Sequence, residues 1–83
     1  MEPTDLHPYD HYRFTKPRKN GGSLLVLIAD VFITGNPLTD KIVLYDIREY
    51  ATVEKRVFTP VLVSDFIHLH DEKKVIEKWE WKG

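Results

Sequence analysis

Two apolar runs dominate the middle of the chain, over residues 24–33 and 42–47. The segment between them is rich in residues that favour turns, with Gly35, Asn36 and Pro37 in succession. Runs rich in β-branched and aromatic residues on both sides of such a segment are typical of a β-hairpin. The pattern therefore predicts a long central hairpin and an all-β protein.

The alternation of side chains along the hairpin predicts which face is buried. A register that sets Val31 opposite Val43 gives one wholly apolar face, which we expect to form the core. That face consists of Leu25, Leu27, Ala29, Val31, Ile33, Val43, Tyr45 and Ile47. The other face is also apolar but carries Asp30, Asp46 and Arg48, so barrel curvature or another molecule has to cover it.

Shorter strands are predicted outside the hairpin from composition and from alternation with a period of two. They cover residues 11–14, 57–63, 67–70 and 75–82. The alternative for the last part of the chain is a helix over residues 64–79, capped by Ser64, which would make the fold α+β. The strands are preferred there, because histidine is a weak helix former and the Trp-Glu-Trp pattern favours a strand.

The 83 residues are enough for one small domain, with residues 1–10 as an N-terminal arm and residues 11–83 as a β-barrel. The chain has no cysteine, which excludes disulfides and thiolate zinc sites and favours a reducing, cytoplasmic location. Its longest apolar run is too short for a membrane-spanning helix, so we expect no membrane partner. The formal charge of −1 provides no global field that would attract nucleic acid.

Motifs for catalysis or cofactor binding are missing from the sequence. It has no cysteine nucleophile, no G-x-S-x-G, no dinucleotide-binding glycine motif and no phosphate-binding lysine loop. Asp30 and Asp46 are predicted to be diagonal neighbours, and paired carboxylates can perform acid–base chemistry. Ion pairing with Arg13 or Arg48, or exposure to solvent, is the preferred interpretation. We therefore expect no enzymatic activity and no cofactor.

A weak metal-binding pattern occurs near the C-terminus. His68 and His70 form an H-x-H pattern, which on a strand places both imidazoles on one face. With Asp65 or Asp71 they would complete a zinc or iron site. Two histidines on a solvated strand are more commonly plain surface residues, so a metal-dependent enzyme is the second alternative function.

Basic residues cluster in and beside a predicted loop over residues 16–23. The cluster consists of Arg13, Lys16, Arg18 and Lys19. With a nearby aromatic ring these side chains can hold a phosphate and stack a base, which makes nucleic-acid binding the first alternative function. A solvated, charged loop explains the same residues and agrees better with the slightly negative formal charge.

Aromatic residues toward the two chain ends are the candidates for contact with a partner. They are Tyr9, Tyr12, Tyr50, Trp79 and Trp81. If the terminal strands pair, these rings form an exposed patch of the kind enriched at protein interfaces. The competing interpretation is that the two tryptophans close the core. The patch favours a non-catalytic protein-interaction module or a small inhibitor-type accessory protein, which binds another protein or a second copy of itself.

The order of short motifs resembles one known family. His11-Tyr12-Arg13-Phe14-Thr15-Lys16 begins the match, Val43-Leu44-Tyr45 continues it, and Thr59-Pro60-Val61-Leu62 with Phe66 ends it. These segments are similar to a small bacterial domain family of unknown function that opens with Y-R-H-F/Y-K-G and continues through V-V-Y and R-P-L segments. The tryptophan and arginine expected before the proline are absent here. The resemblance implies an SH3-like antiparallel β-barrel of five or six strands, and it brings no activity.

Overall fold

The computed structural model describes residues 1–19, 21–36, 38–47 and 57–80. These residues form five strands, a 3-10 helix and one α-helix. In chain order the elements are the 3-10 helix Pro3–Asp5, β1 His11–Phe14, β2 Leu25–Phe32, β3 Lys41–Asp46, β4 Phe58–Leu62, α1 Val63–Asp71 and β5 Ile76–Trp79.

The five strands form a single antiparallel sheet in the order β4-β3-β2-β1-β5. The pair β2-β3 is the predicted central hairpin, which is confirmed. Closure into a barrel would require pairing between β4 and β5, and among the described strands these two lie at opposite edges. The protein is thus a small β-rich fold in which one short helix accompanies the sheet.

The core lies on one face of the sheet, and it is not the face predicted from the hairpin. Val26, Ile28, Ile42 and Leu44 are exposed by 1% or less. The predicted register is also wrong, because Val31 lies opposite Ile42 instead of Val43. Both faces of the hairpin are apolar, so apolarity alone did not distinguish the buried face from the other one.

A β-bulge in β2 changes the register part-way along the hairpin. The pairing with β3 slips between Ile28 and Asp30, so two residues of β2 stand where one would continue the alternation. Val31 beyond the bulge packs against the core, whereas Asp30 is exposed. Asp46, opposite Val26, is only 1% exposed. The two aspartates predicted to be neighbours therefore lie on opposite faces.

Helix α1 packs against the core face of the sheet. Val63 and Phe66 are fully buried, and the Phe66 ring meets the Tyr12 ring edge-on with 5.1 Å between centroids. The predicted strand over residues 67–70 is wrong, and the helical alternative is correct as far as Asp71. The low helix propensity of two histidines costs less than about 0.7 kcal/mol per residue, and burial of the apolar stripe outweighs it.

The turn between β2 and β3 is organised by Asp40, which is 3% exposed. One carboxylate oxygen accepts hydrogen bonds from the Thr34 N–H at 2.9 Å and the Thr34 hydroxyl at 2.7 Å, and the other accepts from the Gly35 N–H at 3.0 Å. The Thr34 N–H is the main cause that lowers the pKa of this carboxyl. The Asp40 carbonyl accepts from the Val63 N–H at 2.9 Å, which links the turn to α1.

Residues 1–10, predicted as an arm, pack on the rest of the molecule. Leu6 is 3% exposed and belongs to the core. The Tyr9 N–H donates a hydrogen bond to the Ile28 carbonyl at 2.7 Å. This segment therefore contributes to the same hydrophobic core as the sheet.

Candidate interaction surface

The outer face of the sheet is the face opposite the core, and the strand registers arrange its side chains in rows. One row crosses all five strands through Trp79, His11, Leu27, Tyr45 and Phe58. Toward the β2-β3 turn follow a row of Asp30, Val43 and Pro60 and a row of Phe32, Lys41 and Leu62. Most of these side chains are apolar, because β2, β3 and β4 carry apolar residues on both of their faces.

Large side chains of the outer face remain in contact with solvent. Phe58 is 54% exposed, Phe32 46%, Leu62 40% and Trp79 36%. The rings of Tyr45 and Phe58 pack together with centroids 5.3 Å apart. Soluble monomers rarely expose large contiguous apolar patches, and such patches commonly mark contact sites. The outer face is therefore the strongest candidate for a functional surface in the described part of the chain.

The charges on the outer face are few and balanced. Arg13 and Glu77 form an exposed ion pair at 2.8 Å, and the Arg13 guanidinium also lies 5.1 Å above the Trp79 ring. Lys41 lies 5.6 Å from the centroid of the Phe32 ring. A surface of this kind suits an apolar partner better than a polyanion such as nucleic acid.

A buried ion pair occupies the opposite side of the sheet. The Arg18 guanidinium donates to the Asp46 carboxylate at 2.7 Å and to the Ser23 carbonyl at 3.1 Å, and it lies 4.8 Å above the Phe14 ring. The Arg18 side chain is 7% exposed and that of Asp46 is 1% exposed. The backbone of Gly22 passes so close that a Cβ atom there would clash with the guanidinium. This pair allows a carboxylate to lie on the core face.

The four predicted nucleic-acid residues do not form one surface. Arg13 lies on the outer face, where it pairs with Glu77. Arg18 lies on the core side, where it forms an ion pair with Asp46. Lys16 and Lys19 are exposed and line a cavity on the core side of the sheet. The cluster in the sequence is thus divided between the two faces.

The two histidines predicted as metal ligands do not converge. Both lie in the last turn of α1, where residues two apart point in different directions, so the strand geometry behind the prediction is wrong. The His70 ring nitrogen Nδ1 lies 2.7 Å from the Asp71 carboxylate, which also accepts from the Met1 ammonium at 2.8 Å. Within the described ranges, no three histidine or acidic side chains are grouped to hold a metal ion.

The predicted aromatic patch is only partly assembled. Trp79 lies on the outer face, whereas Tyr9, at 75% exposure, lies in the loop before β1. Tyr12 is 1% exposed and belongs to the core, so it is not available to a partner. Tyr50 and Trp81 lie outside the described residues.

The aromatic residues predicted for the partner surface do not include the contribution of β4. Phe58, Pro60 and Leu62 alternate with Thr59 and Val61, and this period of two gave the available signal.

Comparison with family models, with curated proteins and with solved structures finds no match to this chain in any of the three. The resemblance to the bacterial SH3-like family therefore stays a prediction. No helix in the described ranges has the length and apolarity needed to cross a bilayer, and α1 has nine residues.

Proposed function

We propose that this chain is a non-catalytic protein-interaction module whose contact surface is the outer face of the sheet, occupied by a second copy of the chain. The observation that carries the proposal is the exposure of Phe58, Phe32 and Leu62 on adjoining strands. Burying such side chains against a partner contributes roughly 25 cal/mol for each Å² of apolar surface. A second apolar sheet face is a suitable partner, since sheets stack about 10 Å apart with interdigitated side chains.

The charges on the outer face support self-association. An interface between two copies related by a twofold axis uses the same patch on both, so the patch must complement itself. Arg13 is neutralised by Glu77 within one copy. Asp30 and Lys41 supply one charge of each sign near the β2-β3 turn. Asp30 of one copy can therefore approach Lys41 of the other without placing like charges together.

The size of the outer face indicates a weak dimer. Five strands about 4.8 Å apart and about six residues long form a face of roughly 24 by 20 Å. A face of these dimensions lies at the low end of the ~800 Å² of accessible surface that each partner buries in a standard interface. We therefore expect a reversible equilibrium that depends on concentration.

Sedimentation velocity over the micromolar to millimolar range tests the proposal. The weight-average mass of the wild type should rise with concentration, and Phe58→Ser should remain a monomer throughout. Leu38→Ser is the matched control, because Leu38 is 79% exposed but lies in the β2-β3 turn, and it should behave as the wild type does. A wild type that is monomeric at every concentration overturns self-association. A dimer that survives Phe58→Ser overturns the assignment of this face.

The closure of the sheet into an SH3-like barrel and the cytoplasmic location also stay predictions. The antiparallel sheet agrees with the barrel only at the level of a small β-rich fold.

A further inference from the structure

A cavity of about 600 Å³ opens on the core side of the sheet, between the loop after β1 and helix α1. Its described lining is mainly apolar and includes Phe14, Leu44, Val61, Phe66, Leu69 and Val75. Small-molecule sites are typically concave, mostly apolar and roughly 300 to 1,000 Å³ in volume. The cavity therefore has the size and floor of a binding site for a small organic molecule.

Every charged residue in the described lining of this cavity is basic. Lys16, Lys19 and Lys73 are exposed, and none of them has an ion-pair partner within the described ranges. Arg18 also lines the cavity, but its charge is balanced by Asp46 at 2.7 Å. Three lysine charges thus remain at the rim of an apolar cavity.

We propose that this cavity binds an amphipathic anion, a molecule with an apolar body and a single carboxylate or phosphate head group. The body would lie against Phe14, Val61 and Leu69, where burial of apolar surface stabilises it. The head group would lie among the lysines, whose ammonium groups bind a phosphate or carboxylate as point charges. An extended polyanion would leave the apolar floor unused, so a small amphiphile fits both parts of the site better.

The arrangement predicts how affinity divides between the two parts of the ligand. Contact with the buried floor should supply most of the affinity, since interactions between exposed charges are weak and screened by salt. Dodecanoate should therefore bind, acetate should not, and an uncharged alcohol with the same chain should bind about three- to fivefold more weakly than dodecanoate.

An NMR titration of the full chain with dodecanoate tests the proposal. The amide chemical shifts are followed at dodecanoate concentrations too low for micelles to form. The shifts should concentrate at Thr59, Leu69 and Lys73 and leave Trp79, at the opposite edge of the sheet, unchanged. Shifts on the outer face alone, or no saturable binding, overturn the proposal. Dodecyl phosphate and anionic phospholipid vesicles form two further arms. Binding of the free phosphate supports the site, and binding to vesicles alone contradicts it.

Two kinds of variant test whether binding takes place in the cavity: one fills the cavity, and the other reverses a charge at its rim. Thr59→Phe fills the cavity from β4 and should abolish saturable binding, with a native amide spectrum as the check on folding. Lys73→Glu should weaken binding by about three- to fivefold. Lys74→Glu makes the same change of charge one residue away, outside the cavity lining, and should leave affinity within about twofold of the wild type. Equal effects of both lysine variants would overturn the assignment of the rim.

Discussion

Ile28 and Ile42 on the core face of the sheet are fully buried, whereas Phe32 and Phe58 on the outer face keep 46% and 54% of their surface exposed. All four are large apolar residues in or beside the central hairpin. The difference arises because α1 returns over one face and places Val63 and Phe66 against it. Both faces are apolar enough to be buried. The core forms on the face that α1 covers after the chain leaves β4.

The ion pairs on the two faces differ in how far they are exposed to solvent. Arg18–Asp46 on the core side and Arg13–Glu77 on the outer side have N–O distances of 2.7 and 2.8 Å. Their side chains are 7% and 1% exposed in the first pair, and 46% and 48% exposed in the second. Charges that are removed from water depend on their partner far more than charges that solvent can screen. The N–O distance alone therefore says little about how much each ion pair contributes to the free energy of unfolding.

The largest expected effect comes from removing one partner of each pair. Asp46→Ala leaves the Arg18 guanidinium buried without its carboxylate and should lower the free energy of unfolding by about 3–5 kcal/mol. Glu77→Ala leaves Arg13 in contact with water and should cost about 1 kcal/mol or less. Chemical denaturation of both variants at neutral pH measures the difference. Equal losses would show that burial does not distinguish the two faces.

A smaller effect is expected where the backbone approaches the buried pair. A Cβ atom at Gly22 would overlap the Arg18 guanidinium and lie 2.9 Å from an Asp46 carboxylate oxygen. Gly22→Ala should therefore lower the free energy of unfolding by about 1–3 kcal/mol. In an Arg18→Ala background the same substitution should cost much less, since the clashing group is gone. Additive losses in this double-mutant cycle would contradict the proposed close approach.

The central hairpin and the antiparallel sheet could be predicted from local patterns, because strand composition and turn residues act over a few positions. The buried face could not. Its choice depends on α1, which packs on one face from a distant part of the chain, and that face also holds Asp46, whose partner Arg18 is distant in the sequence. For Asp46 the sequence predicts an ion pair with Arg13 or Arg48, or exposure to solvent. The structure instead pairs Asp46 with Arg18 on the core face.

The described aromatic residues that the sequence predicts for a partner surface lie on different parts of the molecule. Trp79 is on the outer face, whereas the aromatic pattern alone could not show that Tyr12 faces the core. The basic residues form a cluster in the sequence, but only the pairing of the strands shows that Arg13 and Arg18 lie on opposite sides. Neighbours in a strand alternate between faces, so closeness in the sequence does not make a shared surface.

The smallest expected effect is a loss of stability in acid that comes from Asp40 in the β2-β3 turn. The pKa of Asp40 is lowered chiefly by the Thr34 N–H, with the Thr34 hydroxyl and the Gly35 N–H adding to it. Below the ordinary value of 3.8 the unfolded chain binds more protons than the folded one at this site, so folding loses stability as the pH falls. The contribution is fully present above that value and disappears as the pH passes through the lower folded pKa.

Denaturation curves recorded between neutral pH and about pH 2 check this dependence. Asp40→Asn removes the titrating group and should flatten the acid slope of the unfolding free energy, and it should also lower stability at neutral pH because one acceptor oxygen is lost. Thr34→Val deletes the hydroxyl donor but keeps the N–H, and it should reduce the slope only in part. An Asp40→Asn variant with the wild-type slope would place the acid sensitivity elsewhere. A flattened slope would show that one buried carboxylate in the turn stabilises the hairpin on which both faces are built.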